Sequence, residues 1–376
     1  MNYGIYRKVR NRGWTGWLLA FILISFYTLL YWGGDLDRSL NTDGFFQSLL
    51  SPFIKMLDPL SHVMRKKPAD RWFLYGFLYT VLVVVFGIRF IRKWTQVRYQ
   101  KIRTFSVMFF QLVVAFLIPS FMEYFQGHGF YFHYFWPLKP EYFFPSALKE
   151  LPRALFLWGV GMSFVAVPIL TYFYGKRWYC SWVCGCGGLA ETFGDSFRHL
   201  SSKSYRAWQI EKVSIYSVLV LVIITTALLF IDEARGIHDG FHTFTISVKK
   251  WYGFFIMMGF AGVVGTGFYP LMGSRVWCRF GCPQAAILGI LQKLFSRFQI
   301  TVNGDQCMAC GNCSAYCEMG IDVRMYAMEG KDFVRASCVG CGMCASVCPR
   351  GVLKLENKTG RSQGFSALRR ESLNLD

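Results

Sequence analysis

The chain has 376 residues, 53% of them hydrophobic and 18% aromatic, with only 17% charged, which suits a polytopic membrane protein better than a soluble one. A formal net charge of +19 would suggest nucleic acid in a soluble protein. Here the cations cluster beside apolar runs and no basic patch stands apart from them, so a nucleic-acid partner is excluded.

Six apolar runs are long enough to cross a bilayer: about 13–33, 72–91, 104–123, 154–174, 213–231 and 251–272. The first lacks a small-residue cleavage site after it, which points to a span rather than a cleaved leader. Between the first two spans, "FFQSLLSPFIKMLDPL" is expected to lie along the membrane surface. The fourth and sixth runs hold glycines and a proline each, which favour close helix approach and kinks. Lys and Arg set the orientation. Residues 1–12 carry Arg7, Lys8, Arg10 and Arg12, and residues 92–103 carry Arg92, Lys93, Arg98, Lys101 and Arg103, neither with an acid. Residues 176–212 carry six Lys/Arg against three acids. The positive-inside tendency places these segments in the cytoplasm, with both termini. The "RKK" at 65–67 dissents, since it falls in a loop assigned to the outside.

All thirteen cysteines lie between 180 and 348, on the predicted cytoplasmic side. The chain is too large and too helical for a disulfide scaffold, so metal or redox chemistry is favoured. "GKRWYCSWVC" (175–184) nearly repeats as "GSRVWCRFGC" (273–282), each following a span. CxxxC sets two sulfurs on one face of a helical turn. Two such pairs, Cys180 with Cys184 and Cys278 with Cys282, are expected to converge on a metal site, iron–sulfur or, less often, copper or zinc. Buried packing cysteines and separate thiol or disulfide pairs are the rivals. Cys186 is either an alternate ligand or a small residue. After the repeat, "PQAAILGILQKLFSRF" (283–298) reads as an amphipathic interfacial helix opened by Pro283.

Residues 307–317, "CMACGNCSAYC", and 338–348, "CVGCGMCASVC", share the spacing CxxCxxCxxxC. Three cysteines at two-residue gaps wrap one cluster and the fourth reaches the other, as in ferredoxins with two 4Fe–4S clusters. Cys307, Cys310, Cys313 and Cys348 are therefore assigned to one cluster, and Cys338, Cys341, Cys344 and Cys317 to the other. Gly311, Gly340 and Gly342 permit the tight turns. Paired zinc ribbons are the competing reading. Glu318 stands where a proline is common. The predicted architecture is an α-helical membrane domain of six spans over 1–298, a small α+β dicluster ferredoxin domain over 299–355, and a disordered basic tail over 356–376.

CxxxC pairs after membrane spans, "CRFGCP" (278–283) among them, followed by a two-cluster ferredoxin, resemble the NapH/NosR-type membrane polyferredoxins. "CSWVCG" (180–185) departs from that pattern, with Gly185 in place of the proline and Cys186 added. The resemblance implies a multi-pass protein of the bacterial inner (cytoplasmic) membrane, a quinol or quinone at the membrane, and other redox subunits as partners. A copper-reducing assembly factor is a relative of the same group. The leading reading is an iron–sulfur electron-transfer protein, and the resemblance implies a quinol dehydrogenase subunit. The alternatives are a metal-handling assembly factor and an adaptor whose clusters only hold the fold. His128, His133, His238 and His242 fall on predicted outer loops, either solvated, or serving proton release from quinol or a metal held outside. Glu123, at the end of the third span, is a candidate partner because an ionisable group at that depth is costly without a role.

Overall fold

The computed structural model describes residues 13–41, 44–127, 129–139, 152–237 and 239–357. Five helices among them are long and apolar enough to cross a membrane: α1 (Gly13–Leu40), α2 (Arg71–Lys93), α3 (Arg98–Phe125), α4 (Arg153–Tyr174) and, later in the chain, Tyr205–Arg235. Only 17–33% of each apolar window is buried within the protein, so most of that surface needs lipid rather than water. Local chemistry sets the ends. Asp70 caps α2 by accepting from the Phe73 amide at 2.9 Å, and Gly127 closes α3 in the left-handed region.

The sixth expected span, 251–272, is helical but different in kind. A helix from Gly240 to Tyr252 passes into wide π-helical turns over Gly253–Val264, resumes over Gly265–Gly267 and breaks at Phe268. Its glycines dilute the apolar content and let other side chains in: a Cβ at Gly262 would strike Tyr31 of α1, and one at Gly267 would strike Ile24. The segment expected on the membrane surface forms three short helices between residues 45 and 65, with Phe45, Leu49, Phe53, Met56 and Val63 exposed.

Two hairpins carry the CxxxC pairs. After α4 come α5 (Arg177–Cys180) and α6 (Gly185–Glu191). The long span Tyr205–Arg235 is α7 and Gly240–Tyr252 is α8. They lead to α9 (Val276–Phe280) and α10 (Pro283–Phe295). Contrary to the interfacial reading, α10 is a buried connector. Pro283, Gln284, Ala285, Ala286, Leu288, Gly289 and Gln292 are all buried. The small residues explain it, since a Cβ at Gly289 would lie 2.6 Å from the Ala336 carbonyl oxygen. Only its last turn, Lys293 to Phe295, stays exposed.

The C-terminal region is closed by an antiparallel pair, β1 (Phe298–Val302) with β2 (Leu353–Asn357), in the register Ile300 opposite Leu355. Glu356 and Asn357 thus belong to this sheet rather than to the tail, and residues 358–376 lie outside the described residues. The iron–sulfur region and the membrane region share one apolar core, which holds Cys180, Cys184, Cys282, Cys313, Cys338 and Cys344 together with Tyr179, Trp277, Phe298 and Val339.

Candidate metal centres

The near-repeat in sequence is a repeat in structure. Gly175 and Gly273 both take positive φ, +66° and +96°, where glycine is the residue that fits. In each hairpin the second cysteine's amide bonds five residues back, Cys184 to the Tyr179 carbonyl at 2.8 Å and Cys282 to the Trp277 carbonyl at 2.9 Å. Each second cysteine then occupies the N-cap of the next helix, Cys184 for α6 and Cys282 for α10. Amides three residues on, of Gly187 and Ala285, donate to those sulfurs, an arrangement that favours thiolate. Gly185 and Pro283 are thus equivalent first-turn positions. The departure from proline leaves the hairpin geometry intact.

The two pairs meet. Cys180, Cys184, Cys278 and Cys282, with Cys186, line one cavity of about 200 Å³ walled by tyrosines, among them Tyr75, Tyr79, Tyr134 and Tyr179. Burial pushes the Cys180 thiol up to about 12, with the neighbouring Cys184 and Cys278 adding to the rise. Cys278 and Cys282 are raised by the same causes, burial first. Cys184 is the exception, held below the ordinary thiol range by the Cys186 thiol first and then by backbone amides and Arg275. Crowded buried thiols of this kind ionise together only around a cation that displaces their protons. Arg275 Nη1 lies 3.7 Å from Cys278 Sγ and backs the site with positive charge.

Cys307, Cys310, Cys313 and Cys348 line one small cavity. Cys313 is pushed up to about 12 by burial, with Cys310, Cys348 and Cys307 contributing. In the other quartet the Cys344 thiol is raised by burial and then by Cys341, Cys338 and Cys317. Gly311, Gly340 and Gly342 all take positive φ. The quartets differ in exposure. Cys338 and Cys344 are buried whereas Cys307 and Cys310 are only partly covered, and Met308 between the latter is 57% exposed.

The donor sets fit iron–sulfur clusters: each quartet is made of thiols alone, gathered by positive-φ glycine turns in the dicluster loops and by two hairpins lining one cavity at the membrane edge.

The Cys338 quartet is fastened to the membrane domain. Tyr99 Oη donates to the Gly340 carbonyl at 2.8 Å, Gln100 Nε2 to the Cys341 carbonyl at 2.9 Å, and Ser181 Oγ to the Val339 carbonyl at 2.8 Å. Gln292 Nε2 reaches the Cys338 carbonyl at 2.9 Å. Behind these contacts lies a buried ion network that spacing alone did not reveal. Glu318, 0% exposed, accepts from Arg198 Nη1 at 2.7 Å and pairs with Arg275 Nη2 at 3.0 Å. Arg275 and Arg103 also both pair with Glu191. Burial alone would raise the Glu318 carboxyl, but Arg198, Arg275 and Arg103 together hold it below its usual range. Glu318 follows Cys317 and Arg275 touches Cys278, so the network joins the two cysteine regions. The one available signal was the residue type at 318, an acid where a proline is common.

A second cavity of about 520 Å³ adjoins the first and shares Tyr75, Tyr79, Tyr134 and Lys139 with it. Its other walls include Arg65, Glu123 and His133. Arg65 Nη1 pairs with Glu123 at 3.2 Å, so "RKK" at 65–67 contributes a buried arginine rather than only surface charge. His133 is buried, its Nδ1 has no hydrogen-bond partner among the described residues, and burial lowers it to about 4. His242 instead bonds Asp232 at 2.8 Å. His128 and His238 lie outside the described residues.

Comparison with known proteins agrees with these centres. Residues 157–204 and 252–300 each match the family described as a 4Fe-4S binding domain, one match per CxxxC hairpin. Residues 306–353 match the 4Fe-4S dicluster domain. The chain carries ferredoxin-type 4Fe–4S domains. It is 30% identical over 171 residues to the "Putative electron transport protein YccM" of Escherichia coli (strain K12), which covers 43% of this chain and 46% of that protein. The chain thus spans about half the length of the curated relative it matches. No solved structure matches it.

Proposed function

We propose that this protein is a membrane-bound electron-transfer protein that draws electrons from a quinol in the 520 Å³ cavity beside the membrane-edge cysteines. Bound 4Fe–4S clusters would supply one-electron transfer at three positions, held by Cys180, Cys184, Cys278 and Cys282, by Cys338, Cys341, Cys344 and Cys317, and by Cys307, Cys310, Cys313 and Cys348. The observation that carries the reading is their order within one packed body. The cavity adjoins the first quartet, the loop of the second is bonded to the first hairpin through Ser181, and the third is partly exposed where a soluble or subunit partner has access. The similarity to YccM and the NapH/NosR-type resemblance point the same way.

The chain's own residues would perform the proton chemistry. A cavity of 520 Å³ falls within the roughly 300–1,000 Å³ usual for small-molecule sites. Its tyrosines offer ring faces, and a quinol loses protons as it loses electrons. His133, neutral at pH 7, and Glu123, paired with Arg65, are the acceptors in this cavity's wall. The two matches to the 4Fe-4S binding domain, one on each CxxxC hairpin, favour this reading over a copper-handling role. The orientation follows from the cation asymmetry, with the cysteines on the cytoplasmic face of a bacterial inner membrane.

Anaerobic mixing of the purified holoprotein with a short-chain quinol tests the proposal. Iron–sulfur signals should appear by EPR, and Glu123→Gln or His133→Ala should slow their appearance at least about tenfold with iron content unchanged. Signals produced by dithionite but not by any quinol would reject the quinol. A thiol placed at exposed position 101 and labelled from outside intact cells would reject the orientation.

A further inference from the structure

Where α7 leaves its apolar stretch, the membrane helices and the iron–sulfur domain enclose a cleft of about 820 Å³. Its walls present Lys176, Lys203, Lys212, Arg279, Lys293 and Arg335 against only two carboxylates, Glu211 and Asp322. Both carboxylates already have partners. Glu211 accepts from Arg279 Nε at 2.7 Å, and Asp322 accepts from Ser314 Oγ at 2.6 Å. Lys176, Lys203, Lys212 and Arg335 meet neutral groups. Lys203 Nζ reaches the His199 and Ala315 carbonyls at 3.3 and 3.4 Å, and Lys176 Nζ the Ala336 carbonyl at 3.3 Å. Lys212 and Arg335 both lie over the Trp208 ring, at 3.7 and 4.9 Å from its centroid. Among the described residues, none of Lys176, Lys203, Lys212 and Arg335 forms an ion pair.

Like charges gathered in this way repel one another, and a counter-anion relieves the repulsion. The surroundings indicate its source. Beside the cleft, α7 exposes Val213 at 69% and Val220 at 54%, and the end of α10 exposes Leu294 at 61% and Phe295 at 64%. Cations and lipid-facing apolar surface therefore meet at one level, the level of a phospholipid headgroup. We infer that this cleft binds a phosphate-bearing anion, and that the headgroup of an acidic phospholipid occupies it in the membrane, its acyl chains lying along α7. Free phosphate shares the recognising chemistry. Occupancy bears on electron transfer because Cys278 lines both this cleft and the membrane-edge cavity, and an anion beside that centre opposes adding an electron to it.

The test uses the full-length holoprotein, delipidated in neutral detergent and titrated with phosphatidylglycerol in mixed micelles, with bound lipid counted by native mass spectrometry. Lys203→Gln and Arg335→Gln should each weaken binding about fivefold and together about thirtyfold, as expected of cations near a headgroup. Lys249→Gln, on α8 outside the cleft, should have no effect. In the unaltered protein, phosphatidylglycerol should protect Lys203 and Lys212 from acylation and phosphatidylcholine should not, a readout independent of how the variants fold. Displacement of the lipid by millimolar inorganic phosphate would keep the anion site and overturn the lipid assignment. Equal binding by the unaltered protein and the double variant, or no protection of the lysines, would overturn the site itself.

Discussion

The membrane-edge cysteines and the dicluster cysteines are both arranged in fours, yet they are assembled by opposite means. In each ferredoxin loop three sulfurs fall within seven residues, as in 338–344, so short-range geometry and glycine turns do most of the gathering. At the membrane edge Cys180 and Cys278 are 98 positions apart, and only the packing of α4, α7 and the glycine-rich sixth run brings them to one cavity. Closing so long a loop costs conformational entropy that packing must offset. The same number of thiols therefore depends on the whole membrane fold in one place and on a few local turns in the other.

The sharpest way to break that comparison is to remove one sulfur from each repeat. Cys180→Ala and Cys278→Ala should each remove about a third of the iron, one cluster of three, and the double variant should lose little more. Independent, additive losses would mean two sites. Unchanged iron in both would leave the pairs as packing or thiol chemistry.

Next in size is an asymmetry between the ferredoxin quartets. Cys307→Ser and Cys338→Ser should each cost one cluster. Only Cys338→Ser should also loosen the docked domain, because Gln292, Ser181, Tyr99 and Gln100 bond the backbone between residues 338 and 341. Limited proteolysis reads the difference as faster cleavage between α10 and β1 in the Cys338 variant alone. Equal cleavage in both would mean that the two quartets share the docking.

How legible each region was follows from the same contrast. The dicluster grouping was readable because ligand spacing is a local quantity, and Cys307, Cys310, Cys313 and Cys348, assigned together on spacing, line one cavity. The convergence of the CxxxC pairs was readable only as a repeat. The turns that carry it, positive φ at Gly175 and Gly273 and helix starts at Gly185 and Pro283, needed the structure. The buried network was not readable. Arg103 looked like one cation in a positive-inside loop, and Glu191 and Arg198 like ordinary loop charges, because an ion pair between distant elements leaves no periodicity. The interfacial reading of 283–298 failed for a related reason. An amphipathic helix has the same pattern whether its far side meets water or another domain, and Gln284 and Gln292 meet protein.

Glu318 tests whether the two regions are electrically joined. Glu318→Gln keeps the shape but removes one of three carboxylates, with Glu191 and Asp195, facing Arg103, Arg198 and Arg275. Breaking one partner of a buried ion network typically costs about 3–5 kcal/mol, so the docked domain should open more readily. If the network joins the centres, the reduction potentials of the membrane-edge signal and of the Cys338 quartet should rise together, by several tens of millivolts at about 59 mV per tenfold change. Domain loosening without any shift would reduce Glu318 to a mechanical clasp. A shift confined to one signal would mean that the centres are not joined through it.

The smallest expected effect makes the two hairpins alike. Gly185→Pro gives the first repeat the residue its partner has at Pro283. Position 185 opens α6, where proline's missing N–H is an orphan in any case and its fixed φ suits the helix. A Cβ there would lie 2.7 Å from Gln111 Oε1, the far end of a side chain that needs only to swing away from its 3.2 Å bond to Thr80. Two residues on, the same hairpin has no such freedom, since a Cβ at Gly187 would collide with the Cys180 carbonyl. Gly185→Pro should therefore leave iron content and the membrane-edge signal unchanged and alter stability by no more than about 1 kcal/mol. If iron is lost on this substitution, the hairpins are not equivalent, and the glycine at 185 serves the centre in a way that the proline at 283 does not.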